Sequence, residues 1–136
     1  MNREIKFRVW DKTRNKLFTY INECGVKQLN FNQEMAIESV ELFEYLPSEI
    51  FVFKTLDIDD VELMQFTGIK DKNDVEIYEG DIVNFDKVEW VGDDNIHVVT
   101  WDKTYGCWCF GGGSISDMEF REVIGNIYEN PELLEK

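Results

Sequence analysis

The chain is nearly without histidine, proline and cysteine, and each shortage closes off a class of chemistry. Its one histidine, His97, cannot build a multi-histidine metal site. A hydrolytic triad would need His97 beside Ser39, Ser48, Ser114 or Ser116, and no nucleophile-elbow pattern surrounds any of them. Three cysteines are an odd number, and Cys107 and Cys109 lie two apart, a poor spacing for bridging one another along a strand. Only Cys24 and His97 remain as further soft ligands, so the spaced pairs of a structural zinc site are missing. The expectation is no catalytic residue, no metal and no cofactor. Long apolar runs are absent too: Ile50 to Phe53 and Val98 to Val99 fall far short of the roughly 18 residues of a membrane span. The N-terminal Met-Asn-Arg-Glu-Ile-Lys lacks the apolar centre of a secretory signal. Free cysteines suit a reducing compartment, so the expected location is the cytoplasm, with no membrane partner.

Positive charge is the next shortage, with 14 Lys plus Arg against 28 Asp plus Glu and a formal net charge of −14. A field of that sign repels free nucleic acid, which is therefore not an expected partner. The charge is uneven. Residues 1 to 16 carry Arg3, Lys6, Arg8, Lys12, Arg14 and Lys16 against Glu4 and Asp11, a net +4 that leaves −18 for the rest. A basic end on an acidic body fits a head-to-tail contact between subunits, a local anion site or simply a solvated hairpin.

What the chain has in quantity is apolar and aromatic content, 43% and 14% of residues, enough to take it out of the disordered regime. Its 136 residues suffice for one modest core. Lys6 to Trp10 alternates charged and apolar residues, Leu17 to Ile21 favours strand, and the polar Asp11 to Lys16 between them completes a β-hairpin. From Gln33 to Tyr45 the pattern fits a short helix or further strand equally. Leu46-Pro47-Ser48 punctuates the chain, Ile50 to Lys54 is strand-like, and Asp57-Ile-Asp-Asp60 is an acidic connection near which a boundary falls. The expected division is residues 1–60 and residues 61–136.

Beyond that boundary short strands recur: Val61 to Thr67 ended by Gly68, Val75 to Tyr78, Ile82 to Phe85, Val88 to Val91, His97 to Trp101, Cys107 to Phe110 and Glu122 to Tyr128. Turns at Asp71 to Asp74, Glu79 to Asp81, Gly92 to Asn95 and Asp102 to Gly106 separate them. Asn130-Pro131-Glu132 has the order of a cap, a first-turn proline and an acidic first turn, predicting a short C-terminal helix. The expected fold is mainly β: an SH3-like small barrel in the C-terminal half, an N-terminal β-hairpin subdomain and that short helix.

Four blocks of the chain stand together in order and spacing: Lys6-Phe-Arg-Val-Trp-Asp-Lys12, Met64-Gln-Phe-Thr-Gly-Ile-Lys-Asp-Lys-Asn73, Glu76-Ile-Tyr-Glu-Gly-Asp-Ile-Val83 and Val123-Ile-Gly-Asn-Ile-Tyr-Glu-Asn-Pro-Glu-Leu-Leu134. Together they resemble the YopX family of phage and prophage proteins. Residues 22 to 60 and 86 to 120 are left out of the likeness. The resemblance implies a phage or prophage origin, action in a bacterial cytoplasm, an SH3-like C-terminal part and no catalytic residues to carry over. Asp74 departs from it, since relatives often place Gly after the Asn, the pair best suited to a left-handed two-residue turn.

Other candidates are weaker. Gly111-Gly-Gly-Ser114 offers open backbone N–H groups but lacks the lysine of a phosphate-binding loop, and reads as a connection. Asp57, Asp59 and Asp60, like Asp93 and Asp94, lack the glycine and terminal glutamate of a calcium loop. Trp10, Trp90, Trp101 and Trp108, with Tyr105 and Tyr128, are more rings than a small barrel core readily encloses, which fits either an aromatic-rich core shared between the barrel and the N-terminal hairpin or rings that form a subunit interface or stack on a planar ligand. The leading expectation is a non-catalytic, self-associating protein of unknown molecular task that binds a host or phage protein. One alternative sequesters a nucleotide-like signal through Arg3, Arg8 or Arg14 and Trp10, Trp101 or Trp108. Another is an acidic nucleic-acid mimic.

Overall fold

The computed structural model describes residues 4–19, 24–46, 50–85, 95–110, 113–114 and 121–135. Strands dominate them, and the chain divides into two compact units, Lys6–Met64 and Met1–Ile5 with Gln65–Lys136. The chain is mainly β, as its alternation predicted.

In the first unit β1 (Phe7–Asp11) and β2 (Lys16–Phe18) pair antiparallel, with Val9 opposite Phe18 and Trp10 opposite Leu17. Asn15, in the left-handed region at φ 49°, turns the chain between them. A three-stranded antiparallel sheet follows in the order β3 (Cys24–Phe31), β4 (Ile37–Leu46) and β5 (Ile50–Asp57). The segment that fitted helix or strand is thus strand from Ile37 onward. Period two decides it: Val40 and Leu42 are buried on one face, packed with Val9, Phe18, Val26, Leu56 and Val61. Met35, which a helix would have turned inward, is exposed at φ 62° in the β3–β4 turn. Asp57 then caps a 3-10 turn at Ile58–Asp60 by accepting from the Asp59 N–H at 2.9 Å.

Strand β6 (Val61–Lys70) carries the chain from the first unit into the second. It continues through Gly68, where the sequence predicted a break; Gly68 adopts φ 88°, and the ladder to β7 (Glu76–Tyr78) shifts register between Phe66 and Lys70. The glycine therefore makes a bulge, which bends a strand without ending it. A five-stranded sheet completes this unit: β8 (Asp81–Phe85), β9 (Ile96–Asp102), β10 (Cys107–Phe110), β11 (Gly113–Ser114) and β12 (Arg121–Asn126), in the order β11-β10-β9-β8-β12. Ile77, Val83, Val99, Trp108 and Phe110 form its core. Pro131 opens a 3-10 turn of four residues, Pro131–Leu134, where a short helix was expected. The expected strand at Val88 to Val91 and most of the Gly92 to Asn95 turn lie outside the described residues, as do Pro47, Ser48, Gly111 and Gly112.

Candidate interaction surfaces

The polar residues of the family-like blocks face the backbone. Asp71 is buried, and its carboxylate accepts from Asn73 N–H at 2.8 Å, Val75 N–H at 2.9 Å and, on β12, Val123 N–H at 2.9 Å. Asp81, fully buried, accepts from Tyr78 N–H at 2.8 Å, and the Thr67 hydroxyl donates to the Ile77 carbonyl at 2.8 Å. Asn126 accepts from Tyr128 and Glu129 N–H groups at 3.0 and 2.9 Å. Gly125 leaves room for the Asn130 side chain, because a Cβ there would stand 2.5 Å from Asn130 Oδ1. These side chains supply hydrogen bonds the ladder cannot make at turns, and so hold the fold.

The basic hairpin is committed in the same way. Asp11 is fully buried, and its Oδ1 accepts from the Thr13 hydroxyl at 2.6 Å and the Thr13 N–H at 2.9 Å, while Oδ2 takes Arg14 Nε at 2.7 Å. Burial pushes this carboxyl up, but hydrogen bonds from the Thr13 hydroxyl, the Arg14 guanidinium and the two N–H groups outweigh it, holding its pKa at about 2 against an ordinary 3.8. Arg14 also meets Glu44 at 3.2 Å, and Lys16 pairs with the same carboxylate. Arg8 reaches the Met64 sulfur at 3.9 Å, and Trp10 is half-buried on β1. Arg3 and Trp90 lie outside the described residues. Of the candidate ligand-binding set, Arg8, Trp10 and Arg14 belong to the first unit and Trp101 and Trp108 to the second.

Trp101 and Trp108 are directly opposite on β9 and β10, and their rings meet edge to face with centroids 5.0 Å apart. The pair divides the labour, Trp108 being 6% exposed and Trp101 46%. Tyr105, in the turn between these strands, is 81% exposed. Cys107 and Cys109 lie on the opposite face from Trp108, free, the latter 3.5 Å from the Thr100 hydroxyl. The His97 ring sits 6.3 Å from that of Phe110. Among the described residues no group of three or more His, Cys, Asp or Glu is placed to hold a metal ion.

One surface escaped the sequence reading. Strand β5 pairs with β4 on one side and is the terminal strand of its sheet among the described residues. Val52, Phe53, Lys54 and Thr55 are exposed in succession, so neither face of β5 is fully covered along this stretch. Lys27 lies 4.5 Å over the Phe53 ring while pairing with Glu41 at 2.8 Å. On the other face a depression of about 40 Å³ is lined by Arg14, Phe18, Leu42, Glu44, Val52 and Lys54. Pockets that enclose small ligands run to roughly 300 Å³ and more, so this one accepts a side chain at most. The signal available was a run of four apolar residues without glycine, which an interior strand shares.

Three comparisons extend this picture. A family model described as YopX protein matches residues 6–135, including both stretches the four blocks had left out. The crystal structure of protein EF1440 from Enterococcus faecalis superposes with a TM-score of 0.68 at 25% sequence identity, covering 98% of this chain and 100% of that one. No curated protein matches the chain. Among the described residues no helix is long and apolar enough to cross a membrane.

Proposed function

This chain belongs to the YopX family, and on that premise we propose that it is a non-catalytic module that works by protein–protein contact, associating with itself and engaging a protein of a phage or of its bacterial host in the cytoplasm. The observation that carries the reading is a division of side chains. The buried polar residues of the family blocks, Thr67, Asp71, Asp81 and Asn126, bond to their own backbone, whereas the large rings of Phe53, Trp101 and Tyr105 stand exposed. Exposed aromatics are what interfaces enrich, and committed carboxylates are poor acids and bases. The SH3-like barrel belongs to this reading as well, supported by the short antiparallel strands β6 to β12. Sequestration of a nucleotide-like signal is less well supported, because Arg14 is held by Asp11 and Glu44.

The test is affinity capture of the tagged chain from bacterial cells, with mass spectrometry of co-eluting proteins and of released small molecules. The expected result is a stoichiometric protein whose recovery falls when Trp101 or Tyr105 is changed to Ala. A released nucleotide on an otherwise clean eluate would overturn the reading.

A further inference from the structure

We propose that a second copy of this chain docks along β5, joining two three-stranded sheets into one six-stranded antiparallel sheet about a two-fold axis at Phe53. The proposal rests on the interaction-module reading and names the partner for this one surface. Among the described residues β5 is an end strand with four exposed residues in succession, and the outer edge of such a strand presents N–H and C=O groups to a further strand.

Geometry selects the register. Residues directly opposite in an antiparallel pair point to the same side, so a symmetric pairing keeps both core faces together only when the axis passes a residue rather than a peptide bond. Two positions give the longest ladder that the strand Ile50–Asp57 allows, Phe53 and Lys54. An axis at Lys54 sets two lysines directly opposite one another, with Cβ atoms about 5 Å apart, at the centre of the interface, which is unfavourable for like charges. An axis at Phe53 sets ring against ring and brings the partner's Lys54 opposite Val52.

That register is also complementary in charge. Glu44 on β4 is directly opposite Val52, and Glu44, Val52 and Lys54 line the same depression. With strands about 4.8 Å apart, Glu44, Val52 and the partner's Lys54 form one row roughly 10 Å across, which a lysine and a glutamate side chain span. The contact occurs twice by symmetry. A lysine on an edge strand discourages indiscriminate pairing, and in this register it comes within reach of the Glu44 carboxylate, to which Arg14 and Lys16 of the same chain as Glu44 also pair.

Each copy carries −14, so the copies repel at long range and their association tightens as salt rises. A basic partner would show the reverse. Sedimentation equilibrium of the full chain at micromolar concentration, in chloride raised from about 0.05 M to about 0.5 M, is expected to show a dimer that tightens. Phe53→Asp is expected to halve the molar mass with the urea midpoint preserved. Mild oxidation is expected to crosslink Phe53→Cys between copies above the wild-type background, and Lys54→Cys far less, since residue 54 faces residue 52. A wild-type monomer throughout this range, a dimer that survives Phe53→Asp, or equal crosslinking of the two cysteine variants would overturn the proposal. A monomer that still retains a stoichiometric protein sinks the β5 dimer and self-association but leaves the engagement of a partner protein standing; a β5 dimer that yields a released nucleotide sinks the module reading alone.

Discussion

Among the described residues, five polar or charged side chains are buried in the Gln65–Lys136 unit, Thr67, Asp71, Asp81, Arg121 and Asn126, against one, Asp11, in the Lys6–Met64 unit. Surface ion pairs occur in both, in the first unit Lys12 to Glu62, Arg14 and Lys16 to Glu44, and Lys27 to Glu41, in the second Lys70 to Asp74 and Lys72 to Glu122. The two kinds of bond differ in strength: a buried acceptor that loses its donors bears its full desolvation, whereas an exposed ion pair contributes little and is screened by salt. The difference teaches where the family pattern has its hold. Three of the four family-like blocks fall mainly in the second unit, where turns are closed by particular side chains. The sheet of β3, β4 and β5 needs only alternation of apolar residues, so it is freer in sequence and freer to present β5.

The sharpest way to break this contrast is Asp71→Ala, which strands three backbone donors at once. It should cost about 3 kcal/mol, read as a lowered urea midpoint, whereas Glu41→Ala in the first unit should cost under about 1 kcal/mol. Comparable losses would erase the distinction. Asp11→Asn probes the one buried acid of the first unit. A carboxyl whose folded pKa is depressed contributes stability that is present above its unfolded value of 3.8 and lost as pH falls towards about 2. The difference between wild type and Asp11→Asn should therefore be about 2 kcal/mol above that window and shrink through it. An acid titration of stability that leaves the difference constant would remove Asp11 from this role.

Gly125→Ala should cost about 2 kcal/mol, because the new methyl displaces the Asn130 side chain that accepts from Asn126 N–H at 3.2 Å. Thermal melts decide this, and a neutral variant would mean that Asn130 is dispensable. The smallest effects are gains. Met35 at φ 62° and Asp74 at φ 65° occupy backbone suited to glycine, so Met35→Gly should stabilise by about 0.5 kcal/mol and Asp74→Gly by less, since aspartate tolerates this region better.

Much of this was legible in the chain. The Phe7–Phe18 hairpin followed from alternation and polar turn residues, and the Asp71 to Asp74 turn from its composition. The departure at Asp74 proved informative, because the turn keeps its left-handed residue with aspartate in the place of glycine. Gly68 misled because a glycine can end a strand or bulge it, and only the facing strand decides which. The segment from residue 33 to 45 was undecided because short apolar runs fit either period until something packs on them.

The sequence by itself determined the β class, the acidity, the poverty in metal ligands and the positions of the main turns, since each follows from residue type and local spacing. Only the tertiary structure decided that Asp71 and Asp81 serve the backbone, that Trp108 is enclosed while its neighbour Trp101 is not, and that β5 ends its sheet among the described residues. Those are properties of what lies across a sheet from a residue, and cross-strand neighbours are set by register and strand order, which period-two patterning leaves open.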